Sequence, residues 1–161
     1  MSDLTLAETM IVIGASSFIA KAFIEQACHQ HAKQQQLNLP VAVPLQIITS
    51  SRQASIKLPE LMDGELTGSV SHQHFSCDYQ QSSITQCVTD IAAIAGKVTR
   101  IVMCNGVLHS KSQHLTTADP DLMPEKRIED IDAHSLEQLF YANSIVPMLW
   151  LSALTPLLLQ P

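Results

Sequence analysis

The sequence predicts an α/β fold, a parallel sheet wound on both faces by helices, with four strands in the order 3-2-1-4. Three observations carry this expectation. Met10-Ile11-Val12-Ile13 ends at Gly14 and, after Ser16-Ser17, passes into helical spacing at Ile19, Ala22, Phe23 and Ala27, as a buried strand turning into a helix does. Strand-like runs recur at Leu45 to Thr49, His72 to Cys77 and Arg100 to Cys104, with helical patterns between the first and second and between the third and fourth. Each run closes in small or polar residues, Gly14, Ser51, Asp78 and Asn105, which right-handed crossovers bring to one edge of the sheet.

The first turn is a potential phosphate site. A helix N-terminus there presents unpaired N–H groups and the positive end of its dipole, and Gly14 lets the backbone come close. Ser16 and Ser17 suit either capping or hydroxyl donation to a ligand. The three-glycine dinucleotide fingerprint is incomplete, because its second and third glycines fall at Phe18 and Ala20. The helix is expected to run to about Gln34, with His29 and His31 in a water-facing polar end.

Pro40 and Pro44 bound a connection to the second strand, which ends in Ser50-Ser51-Arg52. An acidic residue at this place would bind a ribose diol. A serine and an arginine, Ser51 and Arg52, suit an added 2′-phosphate; a solvated loop arginine is the alternative. Gln53 to Ser71 reads as loop with a short helix near Leu58 to Met62. The third strand carries His72 and His74 on one face, read as solvent-facing histidines because no further ligand accompanies them. Ser82-Ser83 then caps a helix with apolar positions Ile84, Cys87, Val88, Ile91, Ala92 and Ala95, stopped by Gly96. After the fourth strand come a loop with His109, Ser110, Ser112 and His114 and the segment Pro124 to Ile131, without the glycine-flanked serine of a hydrolase elbow. The last helix begins near Asp132, with Leu136, Leu139, Phe140, Asn143, Trp150, Leu151 and Leu154 at core-facing spacing. Asn143 on that stripe either satisfies backbone groups or points into a cleft; Pro147, four residues on, frees a carbonyl beside it.

Composition narrows the partners. The 161 residues suit one domain, 1–161, with an aliphatic core, since aromatics are 4% of the chain. A formal charge of −6 without a basic stripe argues against nucleic acid. Cys28, Cys77, Cys87 and Cys104 lack paired spacing, so no metal site is expected and reduced thiols in a cytoplasm are. The apolar stretch Ser144 to Leu159 is broken by Pro147 and Pro156 and falls short of the about 20 residues that span a bilayer, so no membrane is expected.

With these residues in place, the sequence resembles the short-chain dehydrogenase/reductase family, and within it the C-factor-like members. The matching pieces are Ile13 to Ala20, Ser51-Arg52, Cys77-Asp78, Met103-Cys104-Asn105-Gly106 and the stretch from Pro124 to Ser144. The resemblance implies a Rossmann-like domain that binds NADP, with Gly14, Ser16 and Ile19 around the pyrophosphate, Arg52 at the 2′-phosphate, Asp78 at the adenine and Asn105 and Gly106 beside the ribose. It gives Asn143 a catalytic role, holding a water beside the family's lysine. It also implies oxidation or reduction of a carbonyl/alcohol substrate by a serine on a fifth strand and a Tyr-x-x-x-Lys pair on the following helix.

That pair is missing here, since neither Tyr79 nor Tyr141 is followed by lysine four residues later. The chain is therefore expected to be an amino-terminal fragment, truncated before the fifth strand, that keeps the cofactor half-site without activity. The alternative is a non-catalytic nucleotide-binding or protein-interaction module. A receiver-type domain is disfavoured because Gly14-Ala15-Ser16 offers no acidic cluster. Truncation is expected to leave the edge Ile101 to Met103 and an apolar surface around Met148, Trp150, Leu151 and Leu154 uncovered, which predicts a homo-oligomer formed through the last helix or the fourth-strand edge.

Overall fold

A computed structural model describes residues 7–36, 43–58, 69–106 and 132–159. The short helix expected beyond Leu58, the loop bearing His109 to His114 and the Pro124 segment lie outside the described residues. The elements are β1 (Glu8–Ile13), α1 (Phe18–Gln36), β2 (Leu45–Ser51), β3 (Val70–Ser76), α2 (Gln81–Ile94), β4 (Lys97–Met103), α3 (Ala133–Phe140), a π-helical segment (Tyr141–Ile145) and α4 (Val146–Leu158).

The strands form one sheet in the order β3-β2-β1-β4, and every pairing is parallel. The expected order is the observed one. Strand β1 is covered on both faces, which is why its residues from Thr9 to Ile13 are all buried. Met10 and Val12 join Ala20, Ile24, Ala27, Cys28 and Ile47 in a core beneath α1. Ile11 and Ile13 join Ile48, Ile84, Cys87, Ile91, Trp150 and Leu154 beneath α2 and α4. At the opposite edge from the turn, Gln46 closes the structure. Its Oε1 accepts from Thr9 Oγ1 (2.7 Å) and Gly96 N–H (3.0 Å), and its Nε2 donates to the Ile94 carbonyl (3.0 Å).

Several expectations about faces are corrected. On α1 the buried positions are Ala20, Ile24, Ala27, Cys28 and His31, whereas Ile19 and Ala22 face solvent. The expected spacing is right in period but one residue out in phase, because Phe18 and Ile19 begin the helix at its exposed first turn. His31 is buried rather than solvated; burial pulls its pKa down, opposed by the Glu8 charge and a Ser69 backbone contact. Ser82 and Ser83 lie inside α2, whose N-cap is Gln80 and carries no side-chain capping bond.

The last helix departs most. Pro147 has no N–H to give the Asn143 carbonyl, and its ring crowds that turn. The chain answers with the wide turn of Tyr141–Ile145, closed by the Val146 N–H on the Tyr141 carbonyl. One extra residue rotates the upstream part of the helix by about 100° relative to the downstream part. Hence Leu136 and Phe140, expected in the core with Trp150 and Leu154, are exposed; on α4 itself Val146, Trp150, Leu154 and Leu157 are buried, and Leu151, also expected in the core, is exposed on another side of that helix. Trp150 is 0% exposed, so neither it nor Leu154 belongs to an uncovered surface. From Ala133 to Leu158 the helix is continuous over 26 residues and meets the length and composition needed to cross a membrane, although its α4 face packs on the sheet.

Candidate functional site

The turn after β1 is built around Gly14. Its φ is +79°, and a Cβ there would overlap the backbone of Cys104 and Asn105 at the end of β4. Glycine is required by the neighbouring strand, before any ligand is considered. The N–H groups of Gly14 and Ala15 both donate to the Ser50 carbonyl (2.8 and 3.1 Å), and Ser17 N–H donates to the Gly14 carbonyl (3.0 Å). Ser17 is the N-cap of α1, its Oγ accepting from Ala20 N–H (3.1 Å). The N–H groups of Ser16, Phe18 and Ile19 have no partner among the described residues, and they open the positive end of a 19-residue helix.

A cavity of about 310 Å³ lies above this turn at the carboxyl ends of the strands. Seven of the residues singled out in the sequence line it: Gly14, Ser16, Ser17, Arg52, Asp78, Asn105 and Gly106. Three do not. Ile19 is 75% exposed and turns away, and Ser51 is buried with its Oγ accepting from Gln53 N–H (3.2 Å). Asn143 stands at the rim, where a Cβ on Gly106 would come within 3.0 Å of its Oδ1. Phe18, 86% exposed, leans into solvent and leaves the turn open.

The wall also contains residues that the sequence reading left out, chiefly Tyr79, Gln80, Cys104 and Tyr141. Tyr79 sits at φ 68°, a left-handed conformation that a bulky residue seldom adopts. The Tyr141 hydroxyl donates to its carbonyl (3.4 Å), and its ring meets Trp150 edge-on, with centroids 6.3 Å apart and planes at 85°. Burial pushes its phenol up to about 12, partly offset by the charge of Arg52, so the ring is neutral at physiological pH. A tyrosine directly after the strand-closing Asp78 was the available signal.

Electrostatically the site pairs one cation with one anion. Arg52 is exposed at the β2 end. Asp78 is held below the usual carboxylate range by Gln80 N–H, which donates to its Oδ1 (2.9 Å), and by the Ser83 hydroxyl. At the floor, Asn105 Nδ2 donates to the Ala142 carbonyl (3.4 Å), while its buried Oδ1 has no hydrogen-bond partner among the described residues. No group of three or more His, Cys, Asp or Glu is placed to hold a metal among the described residues.

No protein-family model matches the sequence, and no curated protein matches it. The likeness is in the fold. A metagenomic short-chain oxidoreductase in complex with NADP aligns with a TM-score of 0.62 at 17% identity, over 95% of this chain and 57% of that one. An NADH-dependent reductase complexed with NAD aligns at 0.61 and 12%, over 93% and 51% of the two chains. The ligand-free aldohexose dehydrogenase of Thermoplasma acidophilum aligns at 0.59 and 15%, over 96% and 45%. The fold is thus Rossmann-like and of the kind found in short-chain dehydrogenases/reductases, and the chain spans about half the length of these structures.

Proposed function

We propose that residues 1–161 form a nucleotide-binding domain that takes NADP in the cavity above Gly14, as the cofactor half of a short-chain oxidoreductase acting on carbonyl/alcohol substrates. The observation that carries this reading is the convergence of unsatisfied groups on one cavity. N–H groups at the turn that are unpaired among the described residues suit a pyrophosphate, an exposed arginine at the β2 end suits a 2′-phosphate, and a buried Asn105 amide oxygen without a partner among the described residues suits a hydroxyl donor such as a ribose. Gly106 and Ser16 border the same space, and the Asp78 carboxylate, with more lone pairs than its two donors use, suits an adenine amine. When bound, the nicotinamide supplies hydride chemistry; the residues here bind and orient it.

Catalysis is a separate matter. Within these 161 residues no tyrosine precedes a lysine by four positions, so the proton donor and its activating lysine are not provided. We propose binding without turnover, with Asn143 at the rim of the site. The four free cysteines and the net charge of −6 support a reducing, cytoplasmic setting and no nucleic-acid partner. The outer edge of β4 and the exposed Leu136, Phe140 and Met148 support self-association. A non-catalytic interaction module is the second reading, favoured by that same apolar face. Calorimetric titration with NADPH and NADH decides between them: measurable NADPH binding that is tighter than NADH binding supports the proposal, and binding of neither supports the second reading.

A further inference from the structure

Resting on that reading, we propose that Thr49 and His74, which lie outside the cavity wall, are positioning residues for Arg52 and set the preference of the site for a 2′-phosphate. Strands β2 and β3 pair with Thr49 opposite His74 and Ile47 opposite His72, which places both histidines and Thr49 on one face of the sheet. Thr49 is fully buried, and its Oγ1 lies 2.8 Å from His72 Nε2 and 2.9 Å from His74 Nδ1. His74 Nε2 lies 2.9 Å from the Gln53 carbonyl.

These contacts assign the protons. A carbonyl only accepts, so His74 carries a proton on Nε2, and in that tautomer Nδ1 is a bare acceptor. The Thr49 hydroxyl donates to that nitrogen and receives the Nε2–H of His72 on its own lone pair; the Gln73 carbonyl, 3.3 Å away, is its alternative acceptor. The bonds run in one direction, from His72 through Thr49 and His74 to Gln53.

The end of this chain lies beside Arg52. Gln53 is held at both backbone polar groups, its carbonyl by His74 and its N–H by Ser51 Oγ (3.2 Å). On the other side of Arg52, the Ser51 carbonyl is locked to β3 by Cys77 N–H (2.9 Å). Arg52 is therefore the exposed residue between two anchored ones. A long guanidinium side chain loses rotamer freedom when it clamps a phosphate, and a pre-set backbone limits how much further order binding must impose. The effect is expected at the 2′-phosphate, because the chain of hydrogen bonds ends at Gln53, next to Arg52, and includes none of Gly14, Asp78 and Asn105.

The test is calorimetric affinity of the full chain for adenosine 2′,5′-bisphosphate and for 5′-AMP, with folding checked by circular dichroism. Wild-type protein should prefer the bisphosphate. His74→Leu and Thr49→Val should each lower that preference about 3- to 10-fold, the effect of one lost hydrogen bond, without changing 5′-AMP affinity. Thr49→Ser and His74→Gln, which keep the hydroxyl and the donor, should restore it. A wild-type protein that binds neither ligand overturns the nucleotide reading and this inference together, and one that binds both without preference overturns the 2′-phosphate assignment of Arg52 and this inference with it. A wild-type preference that survives both disruptive variants, or a loss that is equal for the two ligands, overturns the positioning role and leaves the nucleotide reading standing.

Discussion

Arg52 and Gly14 show how differently two residues of one site can be constrained. Arg52 is exposed and makes no hydrogen bond or ion pair among the described residues, so Arg52→Ala should leave stability within about 0.5 kcal/mol of wild type. It should remove most of the preference for NADPH over NADH, since a hydrogen bond to a charged group contributes about 1.5–3 kcal/mol. Paired calorimetric titrations check this, and an unchanged ratio would detach Arg52 from the 2′-phosphate. Gly14 is the opposite case. Gly14→Ala forces a side chain onto the backbone of Cys104 and Asn105 at a positive φ, and should cost about 1–3 kcal/mol or more, read from the urea midpoint. Gly14, Arg52, Asp78 and Asn105 were legible because each closes an apolar run, which only requires counting along the chain. Ser51 was not, because whether a serine faces a ligand or its own loop depends on the bond it makes to Gln53 N–H. Tyr79 escaped because its place in the wall follows from a left-handed backbone that no spacing encodes.

At the level of elements, the four strands and their order could be read directly, since continuous apolar runs joined by helices leave few parallel arrangements. The last helix could not, although all its residues were in view. A period counted from Leu136 is carried across Tyr141–Ile145 only if the turn is α-helical, and Pro147 makes it π. The residues beyond the bulge are set by their own packing, and Trp150 is the centre of it, fully buried against Tyr79 and the sheet. Trp150→Ala should therefore destabilise the fold by about 3–5 kcal/mol by leaving a large cavity, as measured by denaturant unfolding. Phe140, 61% exposed, belongs to the other face. Phe140→Glu should leave unfolding nearly unchanged while weakening self-association in sedimentation; equal sedimentation of the two proteins would remove that face from the interface.

For the whole molecule, the buried His31 and the half-buried His72 predict an acid limit. Burial holds both His31 and His72 below the ordinary 6.5, with the His74 charge adding to the effect at His72. The unfolded chain then binds protons at a higher pH than the folded one, and stability rises with pH wherever that is so. Stability should be undiminished above about pH 6.5 and fall as the pH drops from there through the folded pKa values. Asp78 and Asp132 have depressed pKa values, so their contribution is lost only below the ordinary 3.8, a separate window. Urea midpoints at intervals from pH 7.5 to 5 should show the decline, and His72→Gln should flatten part of it. A flat profile would mean that neither histidine resists protonation in the fold.

The proposed NADP site is one cavity at the carboxyl edge of the sheet, lined by the turn after β1 and by the ends of β2, β3 and β4. Amide chemical-shift mapping of the nitrogen-15-labelled chain during titration with NADPH tests it most directly. Saturable shifts are expected at Gly14, Ser16, Ser17, Arg52, Asp78, Asn105 and Gly106, with residues near Gln46 at the far edge of the sheet unmoved. Shifts confined to α3 and α4, or none at millimolar NADPH, would contradict it.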